Sequence, residues 1–81
     1  MEEAQKLLET ILKAIVNYPD EIKIERVADE MGVMLRVWVD RRDMGLIIGK
    51  VGITATAIKH IIKMAGYKSR SHIVIKIEEP N

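Results

Sequence analysis

An α+β fold of two layers, with the order α-β-β-α-α-β and a three-stranded sheet covered by three helices, is what this sequence predicts. Three observations lead there. Apolar residues pair at a spacing of four in the first sixteen residues. They alternate with a period of two at residues 33–39 and again at 73–77. Between those strands lies helical sequence interrupted by two glycines, Gly49 and Gly52. Each strand has an apolar face to cover and the helices supply the cover, which is a two-layer solution.

The first helix is expected over residues 3–17. Leu7, Leu8, Ile11, Leu12, Ile15 and Val16 share one face. Glu2 and Glu3 put negative charge at the helix's positive end, and Asn17-Tyr18-Pro19-Asp20 stops it, because the residue before a proline avoids the helical region. Ile22, Ile24 and, less regularly, Val27 alternate with charged neighbours as in a half-buried strand. Asp29-Glu30-Met31-Gly32 reads as a turn that folds the chain back into an antiparallel hairpin. Val33, Leu35, Val37 and Val39 then alternate with Met34, Arg36, Trp38 and Asp40, the clearest strand pattern in the chain. That places Trp38 on the face opposite Val37 and Val39, either open to a partner or packed on a loop. Asp40 or Asp43 offers a cap to a short helix through Met44–Ile48. A longer helix is expected from Ile53 to Ala65, with Ala57/Ile58, Ile61/Ile62 and Ala65 inward and Gly66 placed as its terminating glycine. Residues 67–72 read as a polar loop, Ile73, Ile75 and Ile77 as the last strand, and 79–81 as a tail. The absence of repeats and linkers makes residues 1–81 a single domain.

Composition narrows the function. The chain is 48% apolar and 31% charged, ordinary for a globular domain, and has no cysteine, so neither disulfides nor thiolate metal sites are expected. No apolar run approaches the roughly 20 residues that span a bilayer, and the acidic start is unlike a secretory signal; a cytoplasmic location is expected. The net charge of +1 hides an asymmetry: residues 1–39 carry five basic and eight acidic groups, residues 40–81 eight basic and four acidic. A basic second half points to an anionic partner. The adjacent acids Asp29-Glu30 and Glu78-Glu79 show no sign of a cleft, and so short a chain has little interior in which to desolvate a catalytic acid; no enzyme is expected. His60 and His72 have no third ligand in view, so neither metal nor cofactor is expected. The run Gly45 to Val51 is not a nucleotide-binding P-loop. Only three residues separate Gly45 from Gly49, and Val51, not serine or threonine, stands after Lys50.

The chemistry concentrates in Gly49-Lys50-Val51-Gly52. Two helices this close need a sharp turn, which glycine makes at no steric cost, and the pair of glycines is accounted for by that need alone. The same geometry also suits a ligand. Glycines admit a close backbone, the loop feeds a helix N-terminus that favours anions, and Lys50 adds a positive charge at the tip. The backbone N–H groups of Lys50, Val51, Gly52 and Ile53 would meet phosphates, while Ile48, Val51 and Ile53 would floor a groove for bases. Lys59, Lys63, Lys68 and Arg70 would reach the phosphate backbone at its rim, or form an ordinary solvated face, as would Arg41 and Arg42.

A strand–helix–GxxG–helix–strand unit is the arrangement of the KH module, whose loop clamps about four nucleotides of single-stranded nucleic acid. The residues resemble more than the module. Asn17-Tyr18-Pro19-Asp20-Glu21, Arg36-Val37-Trp38-Val39, the stretch Asp43-Met44-Gly45-Leu46-Ile47-Ile48-Gly49-Lys50-Val51-Gly52, and Thr54-Ala55 with Ala57-Ile58-Lys59 together resemble the small bacterial single-KH proteins of the KhpA (YlqC) family over residues 5–78. The helix-first order resembles the prokaryotic, type II KH topology. Two positions depart from the family's pattern. Val51 stands where a polar or basic residue is frequent, and Ile53 where arginine is frequent; both exchange phosphate attraction for apolar surface. The resemblance implies a non-enzymatic RNA-binding protein in post-transcriptional regulation linked to cell growth and shape. It also implies a homodimer and pairing with a second KH-containing protein of the Jag type. The alternative is a KH-fold protein-interaction or dimerisation module with weak or lost nucleic-acid binding. No residue visibly reads a 2′-hydroxyl, so single-stranded DNA stays open as a ligand.

Overall fold

A computed structural model describes residues 3–79; Met1-Glu2 and the Pro80-Asn81 end of the expected tail lie outside the described residues. The chain runs through α1 (Glu3–Ile15), a 3₁₀ turn (Pro19–Glu21), β1 (Lys23–Asp29), β2 (Gly32–Trp38), a second 3₁₀ turn (Arg41–Asp43), α2 (Met44–Ile48), a third (Lys50–Gly52), α3 (Ile53–Lys68) and β3 (Ile73–Ile77). The expected α-β-β-α-α-β order is what the chain adopts.

α1 buries Ala4, Leu8 and Leu12, with Val16 just beyond its end, at a spacing of four. Leu7 sits at the rim, 36% exposed. β1 and β2 pair antiparallel from Lys23 opposite Trp38 to Asp29 opposite Gly32. Only Glu30 and Met31 are left to turn the hairpin, a tighter connection than the four-residue turn expected. Asp29 holds it, its Oδ1 accepting the Met31 N–H at 2.7 Å. β3 lies parallel to β2, Val33 beside Ile73 through Val37 beside Ile77, so β2 is the central strand. Parallel neighbours need a long crossover, and α2 and α3 provide it.

The inner sheet face (Leu35, Val37, Ile73, Ile75) packs on Leu8, Leu12, Ile47, Ile58 and Ile62, all buried. The outer face carries Met34, Arg36, Trp38, Val74 and Lys76. Trp38 is neither bare nor under a loop: the Arg36 guanidinium lies 4.9 Å and the Lys23 ammonium 5.0 Å from its ring centre.

Two expectations for the last helix are corrected. α3 does not stop at Gly66 but runs on to Lys68, with Gly66 buried inside it. The glycine is needed for close approach. A Cβ there would sit 2.9 Å from the Ile73 side chain and 2.9 Å from the Ser71 carbonyl oxygen. The inward positions also shift: Ala55, Ile58, Ile62 and Gly66 are buried, whereas Ala57 and Ile61 are exposed. With apolar residues on both sides of the helix, periodicity alone did not separate the two members of each pair: Ile58 and Ile62 face inward as expected, Ala57 and Ile61 do not. Among the described residues no single helix is long and apolar enough to cross a membrane.

Candidate nucleic-acid interface

The segment that carries the glycine loop is fastened before the loop begins. Asp40 caps the 3₁₀ turn and not α2. Its Oδ1 accepts the Arg42 backbone N–H at 2.8 Å and the Arg42 Nε at 2.9 Å, and its Oδ2 accepts Nη2 at 3.0 Å. The Arg42 side chain, and then its backbone N–H, hold the Asp40 carboxyl down at about 2. The same guanidinium lies 3.4 Å from the centre of the Tyr18 ring. Asp43 caps nothing. It is fully buried, and its two oxygens accept the backbone N–H groups of Asn17 and Tyr18, each at 3.0 Å. This pair of bonds ties the start of α2 to the end of α1 across 25 and 26 residues of chain. Sequence reasoning treated Asp43 as a cap; the available signal was a carboxylate set just before the apolar run Met44–Ile48.

α2 ends where the Gly49 N–H donates to the Gly45 carbonyl at 2.9 Å. Gly49 (φ +71°) and Gly52 (φ +73°) both occupy backbone conformations that favour glycine, and a Cβ on Gly49 would also collide with the Thr54 hydroxyl. α2 and α3 meet at a bend of 53°. Between the glycines, Val51 is itself left-handed (φ +55°, ψ +30°) and 98% exposed. A β-branched residue there costs about 1–2 kcal/mol, and local strain of this kind clusters at functional sites. Lys50 is exposed beside it. The Gly52 N–H is engaged by the Gly49 carbonyl at 3.3 Å and the Ile53 N–H by that of Lys50. Of the four donors expected to face a ligand, these two are turned inward to build the loop.

The predicted residues separate into groups. Ile48, Gly49, Lys50, Val51, Gly52 and Ile53 gather at the α2–α3 junction. Ile48, 39% exposed, lines a shallow depression with Arg41, Met44, Gly45 and Glu79. Lys59 and Lys63 lie further along α3, where they line a cleft against β3 with His72, Ile73, Val74 and Ile75. Ile53 belongs to a different flank of α3, heading the exposed series Ala57, Ile61 and Met64 at helical spacing. α3 therefore has a basic side toward β3 and an apolar side away from it. Sequence reasoning missed His72 and the β3 residues as cleft walls because nothing in the strand's own pattern says which helix it faces.

Charge is distributed to match. Arg36 is paired with Glu78 at 2.7 Å and Glu25 at 3.0 Å, and the hydrogen bond to Glu78 is the main cause of its raised pKa. Arg42 is paired with Asp40, Lys13 with Glu9 and Lys76 with Glu78. Among the described residues, Lys50, Lys59, Lys63 and Arg70 have no carboxylate partner. No group of three or more His, Cys, Asp or Glu that would hold a metal ion occurs among the described residues.

A hairpin leading into a helix–GxxG–helix crossover to a parallel third strand, on one layer of helices, defines the chain as a KH domain of type II order. A family model described as "KhpA/KhpB, KH domain" matches residues 5–77. The chain is 41% identical over 73 residues to an RNA-binding protein KhpA of Clostridium acetobutylicum, covering 90% of this chain and 97% of that one. It is 34% identical to an RNA-binding protein KhpA of Clostridium perfringens, with the same two shares. To the RNA-binding protein KhpA of Bacillus subtilis it is 33% identical, covering 90% of each chain. The chain belongs to the KhpA/KhpB KH-domain family.

Proposed function

We propose that this chain is a non-enzymatic RNA-binding module that holds single-stranded RNA along the Gly49–Gly52 loop and the α3–β3 cleft. The observation that carries the reading is the alignment of unpaired cations, Lys50 at a strained, glycine-flanked tip and Lys59 and Lys63 in the cleft beyond it. The Lys50 and Val51 N–H groups would meet phosphate, with the Lys50 ammonium adding a salt-dependent attraction. Lys59 and Lys63 would track the backbone, and bases would lie against Ile48 and the β3 edge of the cleft, where Val74 is exposed. The relatives named above, each called an RNA-binding protein, support the ligand class. Post-transcriptional regulation linked to growth and shape in the cytoplasm, with a Jag-type KH protein as partner, is the cellular setting that fits; a family model that groups KhpA with KhpB supports the partner.

Fluorescence anisotropy with short labelled single-stranded RNAs tests this on the wild type and on a Lys50→Asp/Val51→Asp double variant. Binding should weaken with salt and be lost in the variant, whose circular dichroism stays native. Equal binding by both proteins would remove the loop from the site.

A second reading rests on the apolar flank of α3. Ile53 is 67%, Ile61 46% and Met64 58% exposed, a stripe suited to self-association. It lies on the other side of the helix from Lys59 and Lys63, so a homodimer through it leaves the cleft open and doubles the effective number of grooves. Sedimentation of an Ile61→Asp/Met64→Asp variant should give a monomer where the wild type gives a dimer.

A further inference from the structure

The α3–β3 cleft is lined at one end by His72 and Lys63. One helical turn on, at the i+4 position, comes Tyr67, 59% exposed. The chain has three aromatic side chains, and the other two are covered by cations, Trp38 by Arg36 and Lys23 and Tyr18 by Arg42. Among the described residues Tyr67 alone presents a ring with no cation over it.

The turn after Tyr67 is firmly set. The Ser69 and Ser71 N–H groups donate to the Gly66 carbonyl at 3.0 and 2.8 Å, and the Arg70 N–H donates to the Tyr67 carbonyl at 3.0 Å. Arg70 is held left-handed (φ +58°) and exposed. The His72 carbonyl accepts the Val33 N–H at 2.8 Å, which anchors the residue whose side chain lines the cleft with Lys59 and Lys63. Arg70 and His72 together line a depression whose far wall carries Asp29 and Glu30, which bound the basic surface there.

An exposed aromatic ring one turn of chain before an unpaired arginine, which shares a depression with a histidine, carries the groups of a base-stacking platform with phosphate contacts. We propose that Tyr67, with Arg70 and His72, binds one nucleotide beyond the roughly four that a GxxG loop clamps. The base stacks on Tyr67 and the adjoining phosphate meets Arg70 and His72. This rests on the RNA-binding reading above and extends the same path to the far end of α3. The ring stacks on any base, so the extra contact adds affinity without sequence preference.

The test uses two labelled RNAs with the same four-base core and three added nucleotides at each end, either normal or abasic. The wild type should bind the normal RNA about 5- to 20-fold more tightly than the abasic one. Tyr67→Ala should bring that ratio near 1 while leaving affinity for the abasic RNA unchanged, and Tyr67→Phe should restore it. A wild-type ratio near 1, or a Tyr67→Ala loss shared equally by both RNAs, would overturn the proposal. If the wild type binds neither RNA, the RNA-binding reading itself fails and the platform falls with it.

Discussion

Replacing Asp43 by alanine should destabilise the domain more than any surface substitution. The carboxylate is fully buried and accepts two backbone N–H groups at 3.0 Å. A hydrogen bond to a charged group contributes about 1.5–3 kcal/mol. Because Asn17 and Tyr18 are themselves exposed, their freed N–H groups regain some water, which sets the loss for both bonds at about 2–4 kcal/mol. A domain of this size has a total stability of roughly 4–12 kcal/mol, so a large part of it depends on one side chain. At about 4–8 °C per kcal/mol, the melting temperature should fall by roughly 10–30 °C. Asp43→Asn keeps one acceptor oxygen and should lie between the two. Urea and thermal unfolding of the three proteins measures this. If both variants stay within about 0.5 kcal/mol of the wild type, the bonds from Asp43 to Asn17 and Tyr18 are not what fastens the loop-bearing segment.

Other perturbations probe separate parts of the structure. Gly49→Ala meets both a left-handed backbone and the Thr54 side chain and should cost more than about 1–2 kcal/mol by urea titration. Val51→Gly relieves strain at an exposed site and should stabilise by about 0.5–1 kcal/mol after the added chain entropy is counted. Lys59→Glu with Lys63→Glu should weaken RNA binding and flatten the log–log salt dependence by about 1.4, two phosphate contacts on a single strand. Asp40 should titrate near 2 by NMR. Its carboxyl is depressed from the ordinary carboxylate range, so its contribution to stability is present above about 3.8 and is lost as pH falls through about 2. Arg42→Ala should return the midpoint toward the ordinary value.

The elements whose residues have one exposed and one buried side could be read directly. Val33 to Val39 announces β2 because strict alternation has no other use, and Leu8, Leu12 and Val16 announce α1. Where both sides are apolar the reading slips: Ala57 and Ile61 are no less apolar than Ala55 and Ile62, and only packing against α1 and β3 decides. Gly66 looks like a helix end in one dimension and is a contact with Ile73 in three. The loop itself was legible because Gly49 and Gly52 act locally. That two of its N–H groups close the loop, that Val51 shares the left-handed backbone, and that Lys59 and Lys63 face β3 all depend on geometry that spacing does not carry. Asp43 was hidden for the same reason, its partners lying at the far end of another helix.

The most direct test is an NMR titration of the isotopically labelled chain with a short single-stranded RNA. Amide shifts should move at residues 49–53, at Lys59 and Lys63, and along Ile73–Ile75, while Trp38, Ile61 and Met64 stay still. Shifts confined to the outer sheet face or to the apolar flank, or none at all, would contradict the assignment of this loop and cleft as the RNA site.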